Sequence, residues 1–380
     1  MKRFIVFCCA FWVCAWGMSE PTFTTVFEGG EAGYHTYRIP SLLCTQKDTV
    51  LAIAEGRRTP ADHAENDLVL KRSLDHGESW SDADVIAEVG RDCLNNPTLV
   101  QVVSSGRVLL MYQRYPRGKD EKRVVPGIES DDDNICRNFL MHSDDEGATW
   151  SVPREITKTT KRPTVVTSIA SGPGNGIQLR RGKHKGRILI PFNQGPLDKK
   201  QIYAVYSDDD GATWAYGDVA PQGKDKGSVG EVQMVELADG TVMLNARSRE
   251  GAKLRKAAVS QDGGQTWSNY KDVPALIEPQ CNASFIRVGD PLDGETSRIL
   301  YIGPDSQEAR VNGAVWMSTD EGKSWPLKKS LMEGPFAYSS STRLGDDTVG
   351  CLFETGEKRY HERIDIAKFT LKWLSGAETW

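Results

Sequence analysis

The sequence is poor in the residues that build metal centres and disulfide frameworks. It contains eight cysteines and six histidines in 380 residues, with no CxxC pair and no Cys/His cluster. Three cysteines fall within the first 17 residues, and the others are scattered: Cys44, Cys93, Cys136, Cys281 and Cys351. We therefore expect no metal site and no disulfide framework, although one or two disulfide bonds remain open.

Blocks of positive charge are also missing. The chain has 47 Lys and Arg residues against 52 Asp and Glu residues, for a net charge of -5. No run of Lys or Arg is long enough to indicate a surface that binds nucleic acid. We therefore expect no nucleic-acid partner.

Long hydrophobic runs are absent after the N-terminus. Lys2 and Arg3 precede an apolar run over residues 4–16, which is short for a membrane span, and residues 15–17 fit a small-x-small cleavage site. We predict a signal peptide at residues 1–17 and a single domain at residues 18–380; an uncleaved anchor is the alternative. After cleavage we expect no stable membrane insertion and an exported location: secreted, periplasmic or in the lysosomal lumen.

One motif recurs along the chain. The pattern Ser-x-Asp-x-Gly-x-x-Trp occurs five times, beginning at Ser73, Ser143, Ser207, Ser260 and Ser318. Its chemistry is that of a tight turn: the Asp accepts hydrogen bonds from nearby amides, and Gly supplies the positive φ that other residues resist. The Trp offers a large apolar surface that fixes the turn against a sheet. We therefore predict a structural role for these aspartates, not a catalytic one.

The repeats alternate with short strand-like runs, and no long segment has a helical period, which favours an all-β fold built by radial repetition. The turns resemble the Asp boxes of sialidase-like β-propellers. Five boxes, with strand-like segments at residues 22–27 and 364–373, predict a single-domain, six-bladed β-propeller. Its last blade would be closed by the two chain ends.

Residues between the boxes extend this resemblance. Tyr37-Arg38-Ile39-Pro40 is similar to the Phe/Tyr-Arg-Ile-Pro motif of sialidases. Ala54-Glu55-Gly56-Arg57 resembles the family's Glu-x-Arg element, which would place Arg57 at the substrate site. Asp62 follows five residues later, where the family carries its acid/base aspartate. A turn residue following Pro60 is the alternative reading of Asp62.

A second group of motif residues lies further along the chain. Glu231 precedes Asn245-Ala246-Arg247 at the spacing of the family's glutamate and its Asn-x-Arg arginine. Glu236 competes with Glu231 but falls in the strand that leads to an Asp-Gly turn. Arg249 and Arg255 compete with Arg247, yet only Arg247 stands in the Asn-x-Arg position.

The last matching positions are Arg310, Tyr338 and Glu354. Arg310 lies eight residues before the fifth box, where the family has the third arginine of the clamp that binds the substrate carboxylate. Tyr338, in Ala337-Tyr338-Ser339-Ser340, matches the family's Tyr-Ser element. Glu354 matches the glutamate that supports the first arginine, Arg38.

Two further segments carry weaker signals. Residues 171–178 are rich in glycine but lack the Lys and the strand–turn–helix context of a phosphate loop. The segment resembles part of the lysosomal type of animal sialidase, and we predict a loop at the rim or floor of the site. Asn282-Ala283-Ser284 is a glycosylation sequon, relevant only in a eukaryotic secretory host.

The resemblance implies a retaining exo-α-sialidase acting on sialylated glycans without a cofactor. Arg38, Arg247 and Arg310 would bind the sugar carboxylate as three unpaired guanidinium groups. Tyr338 would be the nucleophile and Glu231 its base; Asp62 would be the general acid and base. A transfer reaction, including an intramolecular one, and a non-catalytic sialoglycan-binding propeller are the alternatives. The sequence does not indicate an oligomeric state.

Overall fold

A computed structural model describes residues 20–129, 133–345 and 347–376. The predicted signal peptide lies outside the described residues. The strands of the N-terminal half are β1 (Thr22–Glu28), β2 (Thr36–Cys44), β3 (Val50–Arg57), β4 (Asn66–Ser73), β5 (Asp84–Ala87), β6 (Cys93–Gln101), β7 (Val108–Tyr115), β8 (Arg137–Ser143), β9 (Arg154–Glu155), β10 (Ile169–Ser171), β11 (Gly174–Asn175) and β12 (Ile177–Gln178).

The C-terminal half continues this series of strands. They are β13 (Ile188–Gln194), β14 (Gln201–Ser207), β15 (Ala215–Tyr216), β16 (Val229–Glu236), β17 (Val242–Ser248), β18 (Leu254–Ser260), β19 (Lys271–Ile277), β20 (Ser284–Gly289), β21 (Arg298–Pro304), β22 (Val311–Ser318), β23 (Leu327–Arg343), β24 (Thr348–Thr355) and β25 (Arg363–Thr370). The helices are α1 (Thr157–Thr160) and α2 (Leu371–Ser375), with short 3-10 turns at Glu31–Gly33, Leu197–Lys199 and Pro291–Asp293.

The strands of the described residues form six antiparallel blades. Blade 1 is β2–β5, blade 2 is β6–β9, blade 3 is β10 with β13–β15, and blade 4 is β16–β19. Blade 5 is β20–β22 with the first half of β23, and blade 6 is the second half of β23 with β24, β25 and β1. First strands of neighbouring blades contact each other, as β2 does with β6 and β23 and β16 does with β20, and so line the central axis. The predicted six-bladed β-propeller is confirmed.

The way the last blade closes explains why six blades carry five boxes. In blades 1 to 5 the box turn joins the third strand to the fourth. In blade 6 the third strand, β25, pairs with β1 from the N-terminal end of the domain. No turn joins these two strands, so no box is needed there.

Each box is held by its own hydrogen bonds. In the first box the Ser73 hydroxyl donates to the Asp75 carboxylate (2.7 Å), while the amides of Gly77 and Ser79 donate to Ser73 Oγ and Asp75 Oδ1 (2.8 and 2.9 Å). The same pattern recurs in the other boxes. In the second, hydrogen bonds from the Thr149 hydroxyl and amide lower the pKa of Asp145 to about 2. The aspartates are thus engaged inside the turns.

The hydrophobic core is divided into clusters between neighbouring blades. One cluster joins blades 2 and 3 around Met111, Phe192 and Trp214, and equivalent clusters join the other neighbours. The Trp of each box packs into or against one of them. Because each blade packs on both faces, its strands read as almost continuous apolar runs.

Two expectations from the sequence need correction or completion. Residues 371–373 were expected to extend the last strand, but they begin α2, whose first turn is capped by the Thr370 hydroxyl accepting from the Trp373 amide. The five cysteines at positions 44, 93, 136, 281 and 351 are all free thiols, which closes the question of disulfides among the described residues. No helix in this part of the chain has the length and apolarity to span a membrane.

Candidate active site

The functional candidates meet at one face of the propeller because of strand direction. The first and third strands of a blade run the same way, since each pairs antiparallel with the second. Arg38 and Glu231 lie near the starts of first strands, Arg57 lies at the end of a second strand, and Asp62 lies in the loop that follows it. The boxes follow the ends of third strands and therefore lie at the opposite face.

These side chains surround a cavity of about 320 Å³. Seven of the predicted site residues line it: Arg38, Arg57, Asp62, Glu231, Arg247, Arg310 and Tyr338. Six cationic side chains and three carboxylates are found in its wall, in a protein whose net charge is negative. The cavity therefore has a positive local charge that suits an anionic ligand.

Bulges in the first strands of several blades orient the functional side chains. The pairing register shifts after Arg38 in β2, after Asn95 in β6, across Glu231 in β16 and across Tyr338 in β23. Ile39, which follows Arg38, has a φ of 59°, a value that β-branched residues rarely adopt. A bulge bends a strand and redirects its side chains, and here it turns them into the axial cavity.

Arg38 is held from behind by Glu354. The Arg38 Nε donates to Glu354 Oε1 at 2.7 Å, and the strained Ile39 amide donates to the same oxygen at 2.8 Å. Glu354 is fully buried. Burial acts to lower the pKa of Arg38, but the charge and hydrogen bond of Glu354, together with Tyr338, outweigh it and leave the pKa raised. The guanidinium stays charged and oriented towards the cavity.

Tyr338, Glu231 and Arg247 form a compact triad. The Tyr338 hydroxyl donates to Glu231 Oε1 at 2.6 Å, and Arg247 Nη1 donates to Tyr338 Oη at 2.7 Å and to both Glu231 oxygens. Burial raises the pKa of Tyr338 well above its ordinary value. Burial also acts to raise the pKa of Glu231, but the charges of Arg247 and Lys200 and the Tyr338 hydrogen bond together outweigh it and lower that pKa. At neutral pH the pair is therefore a neutral phenol hydrogen-bonded to an ionised carboxylate.

Arg310 completes the group of three arginines predicted to bind a carboxylate. Its Nη2 donates to the Gln280 carbonyl (3.0 Å), and its guanidinium lies 5.1 Å from the ring centroids of Tyr338 and Tyr360. The expectation of three unpaired arginines was wrong. Arg38 and Arg247 are each paired with a glutamate, because charges this deeply buried need partners.

Asp62 lines the cavity from an exposed loop. Its Oδ1 accepts from Arg57 Nη1 at 2.7 Å and lies 3.9 Å from Arg38 Nη1. Partial burial raises the pKa of Asp62, but the charge of Arg57 and its hydrogen bond outweigh this and lower the pKa below its ordinary value. Arg57 itself is buried and also donates to Glu55.

The competing residues are distinguished by their positions. Glu236 lies at the far end of β16, where it accepts from the backbone amides of Arg180 and Arg181. Arg255 is fully buried and donates to Asn245 Oδ1 and the Cys281 carbonyl, outside the cavity wall. Arg249 does line the cavity, but among the described residues it makes no contact of the kind that joins Arg247 to Tyr338.

The glycine-rich segment runs beneath the cavity. Asn96, in the cavity wall, donates to the Ser171 carbonyl, and the Thr98 hydroxyl donates to the Gly172 carbonyl. A Cβ at Gly172 would lie 1.9 Å from the Val232 carbonyl oxygen, so only glycine fits there. The segment thus forms part of the floor, and it separates the cavity from a second one at the opposite mouth that is lined by Asn175 and Gly176.

Sequence reasoning missed several groups in the wall. Lys200 pairs with Glu121, and the His63 ring meets the Tyr115 ring at 4.5 Å; all four line the cavity. No motif marks these residues, because they come from loops and strand ends of blades 1 to 3.

The asparagine of the glycosylation sequon is buried in the structure. Asn282 is 1% exposed and its amide donates to the Pro173 carbonyl, so this side chain is built into the interior and not offered to solvent. Among the described residues, no cluster of His, Cys, Asp and Glu could hold a metal ion.

Comparisons with known proteins agree with this arrangement. Residues 48–351 match the BNR repeat-like domain family. The chain is 32% identical to a sialidase of Micromonospora viridifaciens, covering 94% of this chain and 55% of that protein, so it spans about half of that relative. It is 29% identical to Sialidase-3 of Mus musculus, covering 91% of this chain and 94% of that protein.

A solved sialidase structure is also similar to this chain. The Hadza microbial sialidase Hz136 superimposes with a TM-score of 0.80 at 26% identity, covering 93% of this chain and 69% of that chain. The chain therefore belongs to the BNR repeat-like domain family, and the relatives and the solved structure that it resembles are sialidases.

Proposed function

We propose that this protein is a retaining exo-α-sialidase that hydrolyses terminal sialic acids from glycoproteins, glycolipids or oligosaccharides. The observation that carries the proposal is the 2.6 Å hydrogen bond from Tyr338 to an ionised Glu231, within a cavity lined by arginines. Such a pair is a nucleophile with its base in place. A propeller that only binds sugars has no use for it.

The substrate carboxylate would bind between Arg38, Arg247 and Arg310. Planar guanidinium groups match a carboxylate in two-point hydrogen bonds. A carboxylate nucleophile would be repelled by the carboxylate on the anomeric carbon, whereas the neutral Tyr338 is not. Tyrosine is the known sialidase exception to the rule of two carboxylates.

In the first step, Glu231 takes the phenolic proton as Tyr338 Oη bonds to the anomeric carbon. Asp62 donates its proton to the leaving glycosidic oxygen. In the second step, Asp62 takes a proton from water, the water oxygen bonds to the anomeric carbon, and the Tyr338–sugar bond breaks as Glu231 returns the proton. Two displacements at one carbon retain the anomeric configuration.

The size of the cavity supports exo action. A volume of about 320 Å³ is at the small end for ligand pockets, and the glycine-rich segment forms part of its floor. One terminal sugar would fill it, with the rest of the glycan in solvent. We propose that this happens outside the cytoplasm, as the predicted leader implies.

Incubation with 3′-sialyllactose, followed by product analysis, tests the proposal. We expect equimolar free sialic acid and lactose from the wild-type protein. An anhydro sugar, or sialic acid moved to an added acceptor, would show transfer instead of hydrolysis. Intact sialyllactose that still binds would favour a non-catalytic binding propeller.

Replacing Arg310 by Lys should weaken binding of an uncleaved sialic-acid analogue by about tenfold or more. A lysine keeps the charge but cannot offer two parallel N–H donors to a carboxylate, nor stack on Tyr338 and Tyr360 as Arg310 does. Isothermal titration calorimetry measures the dissociation constant. Unchanged affinity would remove Arg310 from the clamp.

The pH dependence of kcat/KM should follow the protonation of Asp62. Because the pKa of Asp62 is lowered, the proton donor is scarce at neutral pH, so kcat/KM falls about tenfold per pH unit as pH rises. The lowered pKa of Glu231 keeps the base ionised throughout this range. Initial rates on sialyllactose between pH 5 and 8 measure the slope. An Asp62→Asn variant should lose it, and a flat wild-type profile would contradict the assignment of Asp62.

A further inference from the structure

The loop that carries Asp62 has little structure of its own. Residues 58–65 form turns and bends, and most of their side chains are at least partly exposed. A general acid must nevertheless be held within hydrogen-bonding reach of the leaving oxygen. The position of Asp62 must therefore be set by contacts from outside the loop.

Those contacts come from a buried carboxylate, Glu55. It is 0% exposed and accepts from Arg57 Nε and Nη2, from the side-chain amides of Asn66 and Asn95, and from the Asn96 backbone amide. Burial raises the pKa of Glu55 despite these donors. Because Glu55 is buried and accepts all of these hydrogen bonds, it fixes the orientation of the donor side chains.

Two of these donors also hold the backbone of Asp62. Asn66 Nδ2 donates to Glu55 Oε2 (3.3 Å) and to the Asp62 carbonyl (3.0 Å). Asn95 Nδ2 donates to Glu55 Oε1 (3.2 Å) and to the same Asp62 carbonyl (3.3 Å). Each amide NH₂ has two protons, so each can make both bonds at once. The two amides form parallel bridges from Glu55 to the Asp62 backbone.

The side chain of Asp62 is also held by a group that is bound to Glu55, namely Arg57. Arg57 donates through Nε and Nη2 to Glu55, which leaves Nη1 to donate to Asp62 Oδ1 at 2.7 Å. Asn95 is fixed in turn, because the Cys93 thiol donates to its Oδ1 at 2.9 Å. Asn96 adopts a φ of 55°, which accompanies the bulge that presents its amide to Glu55.

We propose that Glu55, Asn66 and Asn95 are positioning residues that place the Asp62 loop for proton donation, with Cys93 setting the orientation of the Asn95 amide. The proposal rests on the proposed function, because it concerns the acid of that reaction. It predicts a specific defect. Loss of a bridge should harm substrates that need a proton on the leaving group far more than substrates whose leaving group departs unaided.

The test compares two substrates. Lactose, the leaving group of sialyllactose, would depart as a basic alkoxide and needs the acid, whereas the nitrophenolate of a nitrophenyl sialoside is a stabilised anion and needs it little. For Asn95→Ala and Asn66→Ala we expect the ratio of kcat/KM, nitrophenyl sialoside over sialyllactose, to rise at least about tenfold above the wild-type ratio. Asp62→Asn sets the upper limit of this ratio. Arg310→Lys is the matched control, because weaker binding of the carboxylate lowers kcat/KM for both substrates by the same factor.

Cys93 supplies a milder pair of variants if an asparagine variant fails to fold. Cys93→Ala removes the donor to Asn95 and should raise the ratio, whereas Cys93→Ser replaces the donor and should restore it towards the wild-type value. Melting temperatures establish that each variant is folded. A proportional loss on both substrates, or an unchanged ratio in the folded variants, would overturn the proposal. Wild-type protein that cleaves neither substrate would instead refute the proposed function itself.

Discussion

Replacing Tyr338 by Phe should lower kcat on a nitrophenyl sialoside by at least about 10³-fold, because the change removes the nucleophilic oxygen itself. The ring stays, so the surface beneath Arg38 and Arg310 is kept. Arg247 also keeps both hydrogen bonds to Glu231. Binding of an uncleaved analogue should therefore remain measurable, and steady-state kinetics with calorimetry separates the two effects.

Tyr360 offers a matched control for this variant. Its ring lies 5.3 Å from the Arg38 guanidinium and 5.1 Å from that of Arg310, yet no carboxylate like Glu231 accepts from its hydroxyl in the described structure. Tyr360→Phe should therefore change kcat by less than about tenfold, as expected for a group outside the reaction. A Tyr338→Phe variant with near wild-type kcat would remove Tyr338 from the role of nucleophile.

Replacing Glu354 by Ala should lower the free energy of unfolding by about 3–5 kcal/mol, which is the usual cost of removing one partner of a buried ion pair. The loss would leave the Arg38 charge without its 2.7 Å partner and the Ile39 amide without an acceptor. Ile39 would also lose the hydrogen bond that accompanies its strained φ of 59°. Urea unfolding followed by tryptophan fluorescence measures this change.

Glu354→Gln separates charge from hydrogen bonding at this position. The amide oxygen can still accept from Arg38 and Ile39, so the loss in free energy of unfolding should be smaller than in the Ala variant. Both variants should weaken analogue binding, because the orientation of Arg38 depends on this contact. A cost below about 1 kcal/mol for Glu354→Ala would show that Glu354 does not support the clamp.

The fold was predictable because its signal is repeated and local. Each box, such as the one beginning at Ser73, encodes one turn through Ser, Asp, Gly and Trp, and the turns mark the blades. Strand order then brings Arg38, Asp62 and Tyr338 to one mouth, which is why motifs scattered along the chain could be gathered into one site. These features depend on residue type and chain order alone.

The rest depends on contacts across blades, which chain order does not encode. The pairing of Arg247 with Glu231 and Tyr338 is set by bulges in β16 and β23. The double bridge from Glu55 to the Asp62 carbonyl joins side chains from three strands. Asn282 belongs to a sequon, but its side chain is buried because it donates to the Pro173 carbonyl.

Proton NMR of the first sugar released from sialyllactose tests the proposed reaction most directly. A double displacement through Tyr338 should yield the α-anomer of free sialic acid first, followed by its slow mutarotation to the β-anomer. Release of the β-anomer at the earliest times would mean direct attack by water on the opposite face. That result would contradict a nucleophilic Tyr338 activated by Glu231, whatever the rate of cleavage.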